Sequence, residues 1–166
     1  SRENLHPFES FPILGTSDGS MSISYFIAQI EFLSEYGPED LTGQSASERA
    51  LLRQIAECVR IARDRMFEMI YAKGCDRESV AVRRQSPVYR EMADVARKLE
   101  SVLKPRPGPL IVGMRPTYAD YVISVWIRNC EHAFGRDVPM LAANPRLRKL
   151  CAVTQATVCR AYRSVV

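Results

Sequence analysis

The side chains best able to do chemistry in this 166-residue chain are five cysteine thiols and two histidines. With only His6 and His132, we expect neither a metal site nor a histidine-dependent catalytic triad. The cysteines form no Cys-x-x-Cys pair and are odd in number, so we expect free thiols in a reducing compartment. They are Cys58, Cys75, Cys130, Cys151 and Cys159.

Thr117 and Asp120 form a pair of side chains whose spacing suits a defined role. This spacing allows a capping box, in which the hydroxyl accepts from the Asp amide and the carboxylate accepts from the Thr amide. The apolar stretch 121–127 follows and contains the only tryptophan, Trp126. The pattern predicts a central buried helix, and we expect Asp120→Ala to lower stability by about 1–2 kcal/mol.

The composition is typical of one folded domain, or of one domain with a small appendage. Hydrophobic residues make up 46% of the chain, charged residues 25%, and the net charge is +4. The basic doublets Arg83-Arg84, Arg97-Lys98 and Arg148-Lys149 are scattered, and no basic stripe with interleaved aromatics suggests nucleic-acid binding. No apolar run approaches the roughly 18 residues that span a membrane.

The elements that must position these side chains begin with a hairpin and a helix. The short apolar run 11–14, the turn 15–19 and the returning run 20–23 predict two antiparallel strands. We expect Ser22 or Ser24 to cap a helix that ends at Gly37-Pro38. The polar connector 39–47 separates a first domain, 1–38, from an all-helical domain, 45–166.

The second domain reads as a series of helices. Ser45 to Glu48 is another capping box, and the apolar stripe 52–69 predicts a long helix running to Lys73-Gly74. A charged linker at 75–85 precedes a helix that starts at Ser86-Pro87. The proline-rich segment 104–109 cannot be helical, because proline lacks a donor and fixes φ. The fold class is therefore mainly α.

After the central helix, two further helical segments are predicted. Phe134-Gly135 ends the central helix, and Asn144-Pro145 caps the next one. A last helical segment covers 157–165.

The order of these motifs resembles the glutathione transferase superfamily. Residues 7–14 (PFESFPIL) are similar to its Pro-Phe-Gly-Gln-x-Pro-Val-Leu segment. Asp18-Gly19 with 24–27 resembles its Asp-Gly turn and Gln-Ser-x-Ala-Ile helix start. Residues 112–120 (VGMRPTYAD) resemble Val-Gly-Asp-x-x-Thr-x-Ala-Asp, and 144–147 resemble the Pro-x-Leu helix that follows.

This resemblance implies a thioredoxin-like N-terminal domain that binds glutathione and an all-helical C-terminal bundle. Residues 1–38 correspond to the second half of that first domain, a partial thioredoxin-like ββα piece. The family's thiol-activating Tyr, Ser or Cys belongs to an opening strand–helix–strand unit that this sequence does not show. We therefore assign no catalytic residue; an activating group must stabilise the thiolate and lower its pKa.

The resemblance assigns a weak glutathione site to Ser10, Phe11, Pro12 and Ser24. Pro12 matches the family's cis-proline, Phe11 offers its backbone, and Ser24 matches the Ser that holds the γ-glutamyl carboxylate at a helix N-terminus. Ser10 and Ile23 replace two glutamines of the family pattern. The alternative is that Pro12 and Ser24 serve only the hairpin and the helix cap.

The resemblance also implies a hydrophobic pocket for an electrophile at the end of the long helix. Its candidate residues are Met66, Phe67, Ile70 and Tyr71. The alternative for this methionine-rich end is plain core packing.

Two functions follow from the resemblance. The first is conjugation of glutathione, as substrate, to electrophiles; the second is a non-catalytic subunit that docks into a larger protein assembly. A homodimer with the long helix at its interface is implied, with no metal, nucleic-acid or membrane partner. We expect a cytoplasmic protein; because the chain starts at Ser1 without Met, a cleaved mitochondrial or other organellar presequence is the alternative.

Overall fold

The computed structural model describes residues 13–18, 21–36, 40–72, 78–136 and 138–163. Within these ranges the chain forms two short strands, seven α-helices and one π-helical segment. It divides into two compact units, Ser1–Thr42 and Gly43–Val166. The mainly α fold predicted from the sequence is confirmed.

The first unit contains the predicted hairpin in a shorter form. Strands β1 (Leu14–Gly15) and β2 (Ser22–Ile23) are antiparallel, with Leu14 opposite Ile23. The Thr16 hydroxyl holds the turn, since it donates to Asp18 Oδ1 at 2.6 Å and accepts from the Met21 amide at 3.1 Å. Phe11 and Pro12, predicted to lie in the first strand, are outside the described residues.

Helix α1 (Phe26–Tyr36) does not have the predicted serine cap. Tyr25 takes the N-cap position, because its carbonyl accepts from the Gln29 amide at 3.0 Å as the first helical hydrogen bond. Tyr25 has φ 68, in the left-handed region, where a non-glycine residue costs about 1–2 kcal/mol. The turn from strand to helix is made at Tyr25, so Ser22 and Ser24 precede the cap.

The second unit begins with a long helix whose start follows the sequence signal. In α2 (Ala46–Phe67), the Ser45 hydroxyl accepts from the Glu48 amide at 3.1 Å. The Glu48 carboxylate reaches back to the Gln44 amide at 2.8 Å. After Phe67 the helix continues as a π-helical segment, Glu68–Ala72.

Two short helices were not predicted. Helix α3 (Val80–Arg83) lies inside the expected charged linker, where the Ser79 hydroxyl accepts from the Val82 amide at 3.4 Å. Helix α6 (Pro139–Ala142) precedes the last helix. Both are a single turn long, so neither has room for the repeated apolar spacing that marks a helix in sequence.

The remaining helices are α4 (Pro87–Leu103), α5 (Tyr118–Phe134) and α7 (Pro145–Arg163). As predicted, Ser86 caps α4 and accepts from the Tyr89 amide at 3.1 Å, and α5 ends at Phe134 before Gly135. Helix α7 is continuous, whereas two separate segments were predicted. No glycine or proline interrupts it, so nothing breaks its backbone hydrogen bonds.

Helix α5 is the centre of the second unit, as its apolar sequence predicted. It packs against α2, α3 and α7, while α4 packs against α2 and α7. Helices α2, α4, α5 and α7 each contribute fully buried side chains to one core. They include Leu52, Met66, Met92, Ile123, Trp126, Ile127, Leu147 and Leu150.

Candidate functional site

The part of the predicted glutathione site that the structure describes is Ser24. Its side chain is buried, and it lies between strand β2 and helix α1. The first amides of a helix have no intrahelical partner and carry the positive end of its dipole, so this position can receive an anion. Ser10, Phe11 and Pro12 lie outside the described residues. The assignment of all four residues to glutathione stays a prediction.

Gln29 supports this turn, although no sequence motif identified it as a functional residue. Its buried side-chain amide donates to the Ile23 carbonyl at 2.9 Å and so ties helix α1 to the end of β2. A possible signal was its place among the apolar residues Phe26, Ile27 and Ile30, since a polar group at such a position usually has a partner.

The four candidates for the hydrophobic pocket do not share one environment. Met66 is fully buried, and its sulfur lies 3.9 Å from the Sγ atom of Cys130 in the core. Ile70 is also buried, Phe67 is half-buried, and the Tyr71 side chain is outside the described part. The helix turns from α to π geometry next to Phe67, and π segments often occur at functional sites. Their role in a pocket stays a prediction.

Two of the thiols lie in surroundings that make them poor nucleophiles. Burial raises the pKa of Cys130 far above its usual value, and burial raises the pKa of Cys151 to about 12. The nearby charge of Glu131 raises both pKa values further. Because the thiolate is the reactive form, neither side chain is suited to nucleophilic catalysis at neutral pH.

Among the described residues, no group of three His, Cys, Asp or Glu side chains is placed to hold a metal ion. None of the helices in the described part of the chain is both long and apolar enough to cross a membrane.

The motif Thr117–Asp120 forms a fully buried capping box. Asp120 Oδ2 accepts from the Thr117 amide at 2.8 Å and from the Thr117 hydroxyl at 2.6 Å. Asp120 Oδ1 accepts from the Ile111 amide at 3.0 Å. Burial raises the pKa of Asp120, and the hydrogen bonds from Thr117 and Ile111 oppose that rise. The carboxylate fixes both the start of α5 and the loop before it.

That loop is a tight reversal between α4 and α5. Leu110 pairs with Gly113 and Val112 with Arg115 as isolated antiparallel bridges. Gly113 has φ 71, and a Cβ atom on Gly108 would lie 1.8 Å from the Gly113 carbonyl oxygen. The glycine at 108 is therefore required by a close backbone approach.

The start of α7 is capped from another helix. The Glu100 carboxylate of α4 accepts from the amides of Arg146, at 3.1 Å, and Leu147, at 2.9 Å. The Arg146 guanidinium donates to the carbonyls of Leu103, Arg106 and Gly108 at 3.2, 2.5 and 2.6 Å. The predicted cap, Asn144, instead donates its side-chain amide to the Met140 carbonyl at 2.5 Å. These hydrogen bonds hold the proline-rich segment 104–109 against the start of α7.

Comparison with known proteins places this helical unit in a family. The sequence profile described as "Glutathione S-transferase, C-terminal domain" matches residues 62–157, more than half of the chain. No curated protein sequence matches the chain.

Solved structures share the fold at low sequence identity. A pi-class glutathione S-transferase of Onchocerca volvulus is 20% identical, with a TM-score of 0.67 over 89% of this chain and 69% of that one. A maleylacetoacetate isomerase of Anaeromyxobacter dehalogenans, solved with glutathione in its active site, is 23% identical, with a TM-score of 0.66 over 89% and 67%. A bacterial zeta-class maleyl pyruvate isomerase is 22% identical, with a TM-score of 0.64 over 90% and 70%.

Proposed function

Because the chain belongs to the glutathione S-transferase family, we propose that it binds glutathione and takes part in its conjugation to electrophiles. The observation that carries this proposal is the fold shared over 89% of the chain with an isomerase that holds glutathione in its active site. That overlap is too long for the helical unit alone, so it includes residues of the first unit, where the predicted glutathione contacts lie.

Ser24 supports the proposal chemically. A buried hydroxyl close to the N-terminus of α1 can donate to the γ-glutamyl carboxylate of glutathione, which the helix dipole also attracts. Gln29 holds this turn in place through the Ile23 carbonyl.

The electrophile is proposed to bind at the C-terminal end of the long helix. Phe67, which is half-buried next to the π-helical segment, offers an aromatic contact there, and the neighbouring Met66 and Ile70 are buried. An apolar electrophile is favoured by such a surface, because its transfer from water is favourable.

The experiment is a conjugation assay on the full chain with glutathione and chlorodinitrobenzene. The proposal expects a rate that saturates with glutathione and exceeds the uncatalysed reaction. Phe67→Ala is expected to raise KM for the electrophile more than it changes the affinity for glutathione, while the exposed Val82→Ala serves as the control. Absence of both catalysis and glutathione binding would overturn the proposal.

A second candidate function is docking into a larger protein assembly. It is favoured by the first unit, where the buried side chains among the described residues are polar: Ser24, Gln29 and Ser34. Tyr25, Leu33 and Tyr36 expose large apolar surfaces there. Exposed apolar surface of this kind often marks an interaction site. Binding of glutathione without conjugation, together with migration only in a large complex, would favour this candidate.

We also propose a homodimer, with the face formed by α2 and α4 as its interface. A groove of about 320 Å³ there has an apolar floor that includes Cys58, Ile61 and Val95. The charged residues Arg65, Glu91, Asp94 and Lys98 also line it. Arg65 Nη1 lies 3.5 Å from Glu91 Oε1. A second copy turned by a two-fold axis offers opposite charges to these charged residues. Light scattering is expected to give twice the chain mass, and Ile61→Asp to give the monomer.

A further inference from the structure

A second groove of the helical unit lies between α5 and α7. Its volume is about 470 Å³, in the range of small-molecule sites. Both helices contribute side chains to its wall. They are Tyr121, Ser124, Val125, Arg128 and Glu131 from α5, and Thr154 and Gln155 from α7.

The Ser124 hydroxyl is a polar group that is available to a ligand in this groove. The side chain is 5% exposed and lines the groove, yet no hydrogen bond joins it to any other described residue. Thr154, across the groove, is equally buried but donates to the Leu150 carbonyl at 2.9 Å. The Ser124 hydroxyl can therefore form a hydrogen bond with a ligand bound in the groove.

Arg128 and Glu131 are unpaired charges on the same wall. They lie one helical turn apart, but neither forms an ion pair with any described residue. Glu57 and Arg60, at the same spacing in α2, do form one at 2.7 Å. Acid before base is the favourable order along a helix, and Arg128 before Glu131 is the reverse order. Each charge thus remains open to a ligand.

We propose that this groove binds a small zwitterion with an apolar side chain, of the α-amino-acid class. The ligand carboxylate pairs with Arg128, its ammonium group pairs with Glu131, and Ser124 adds a hydrogen bond. The apolar side chain covers Val125, which is 56% exposed. A ligand of one charge sign would meet one repelling residue, whereas a zwitterion is attracted by both.

The test is titration of the full ¹⁵N-labelled chain with L-phenylalanine, followed by amide chemical shifts. Saturable shifts confined to α5 and α7 are expected. Phenylpropanoate lacks the ammonium group and phenethylamine lacks the carboxylate, so each is expected to bind about tenfold more weakly, the equivalent of 1.4 kcal/mol. The location of the shifts also distinguishes this site from the proposed glutathione site, because Ser24 belongs to the first unit and not to α5 or α7.

Variants assign the contacts. Arg128→Gln and Glu131→Gln are each expected to weaken binding about fivefold or more, and Ser124→Ala about threefold, in line with single exposed or charged hydrogen bonds. Arg90→Gln on α4 is the control and leaves binding unchanged. Equal binding of all three ligands, tighter binding of either analogue, or shifts that fail to saturate would overturn the proposal.

Discussion

The carboxylate of Asp120 accepts a hydrogen bond from the backbone amide of Ile111, 3.0 Å away and nine residues earlier in the chain. Both residues are fully buried. The same carboxylate accepts from the amide and the hydroxyl of Thr117. One side chain therefore joins the loop before α5 to the first turn of that helix, and it satisfies donors that water does not reach.

Asp120→Ala is expected to lower the free energy of unfolding by about 3 kcal/mol or more, since a buried donor left unpaired costs about 1–3 kcal/mol. This exceeds the 1–2 kcal/mol typical of an ordinary cap. Ser45→Ala removes the exposed cap of α2 and is the control, with an expected loss of about 1 kcal/mol. Urea unfolding measures both, and equal losses would contradict the buried role of Asp120.

The stabilisation by Asp120 is also expected to depend on pH. Burial raises the pKa of this carboxyl above its ordinary 3.8, so the folded state keeps a proton that the unfolded chain has released. Its contribution is complete below the unfolded pKa and falls as pH rises through the interval above 3.8. The stability difference between wild type and Asp120→Ala should therefore shrink from about pH 4 towards neutrality. A difference that grows with pH would show that the hydrogen bonds dominate and lower the pKa.

Arg146→Lys is expected to destabilise the chain by about 1–2 kcal/mol, because the shorter lysine side chain does not bring its ammonium group to the point where Arg146 Nη2 contacts three carbonyls. Arg148 is exposed and lies two residues further along α7, so Arg148→Lys is the control and should change the melting temperature very little. Equal effects of the two variants would mean that the contacts with the proline-rich segment contribute little.

The glycines of the α4–α5 loop are expected to differ in what they tolerate. Gly108→Ala places a Cβ 1.8 Å from the Gly113 carbonyl oxygen, so the backbone must shift, at a cost of about 3 kcal/mol or more. Gly113→Ala meets nothing within 4 Å and carries only the penalty of φ 71, about 1–2 kcal/mol. Thermal unfolding ranks the two variants, and the reverse order would contradict this loop geometry.

The described thiols are expected to react at different rates. A brief pulse of iodoacetamide at neutral pH should label the half-buried Cys58 and leave Cys130 and Cys151 unmodified, because both burial and a raised pKa disfavour their thiolates. Peptide mass spectrometry reads out each site. Labelling in urea is the control and should reach all three. Rapid native labelling of Cys130 would show that the core opens around it.

Local signals in the sequence predicted the helix starts well. Ser45, Ser86 and Thr117 begin α2, α4 and α5 as predicted, since a cap and its partner lie within a few residues. The cap of α7 could not be predicted in this way. Its acceptor, Glu100, lies 46 residues before Arg146, and only the packing of α4 against α7 brings the two together.

The candidate sites show the same difference between features that a local motif predicts and features that depend on packing between distant residues. The family motif pointed to Ser24, but the left-handed Tyr25 that turns the chain into α1 has no sequence signal, because tyrosine rarely adopts that conformation. Met66 looked equally suited to a pocket or to the core, and its contact with Cys130 depends on how α2 packs against α5. The groove containing Ser124 likewise exists only through the pairing of α5 with α7.

The most direct test of the proposed function is calorimetric titration of the full chain with glutathione. The account predicts saturable binding that weakens about fivefold or more in Ser24→Ala, as expected for the loss of a hydrogen bond to a carboxylate. Ser101→Ala, an exposed serine on α4, should bind like the wild type. Binding that is absent, or equally strong in Ser24→Ala, would contradict the placement of glutathione at the start of α1.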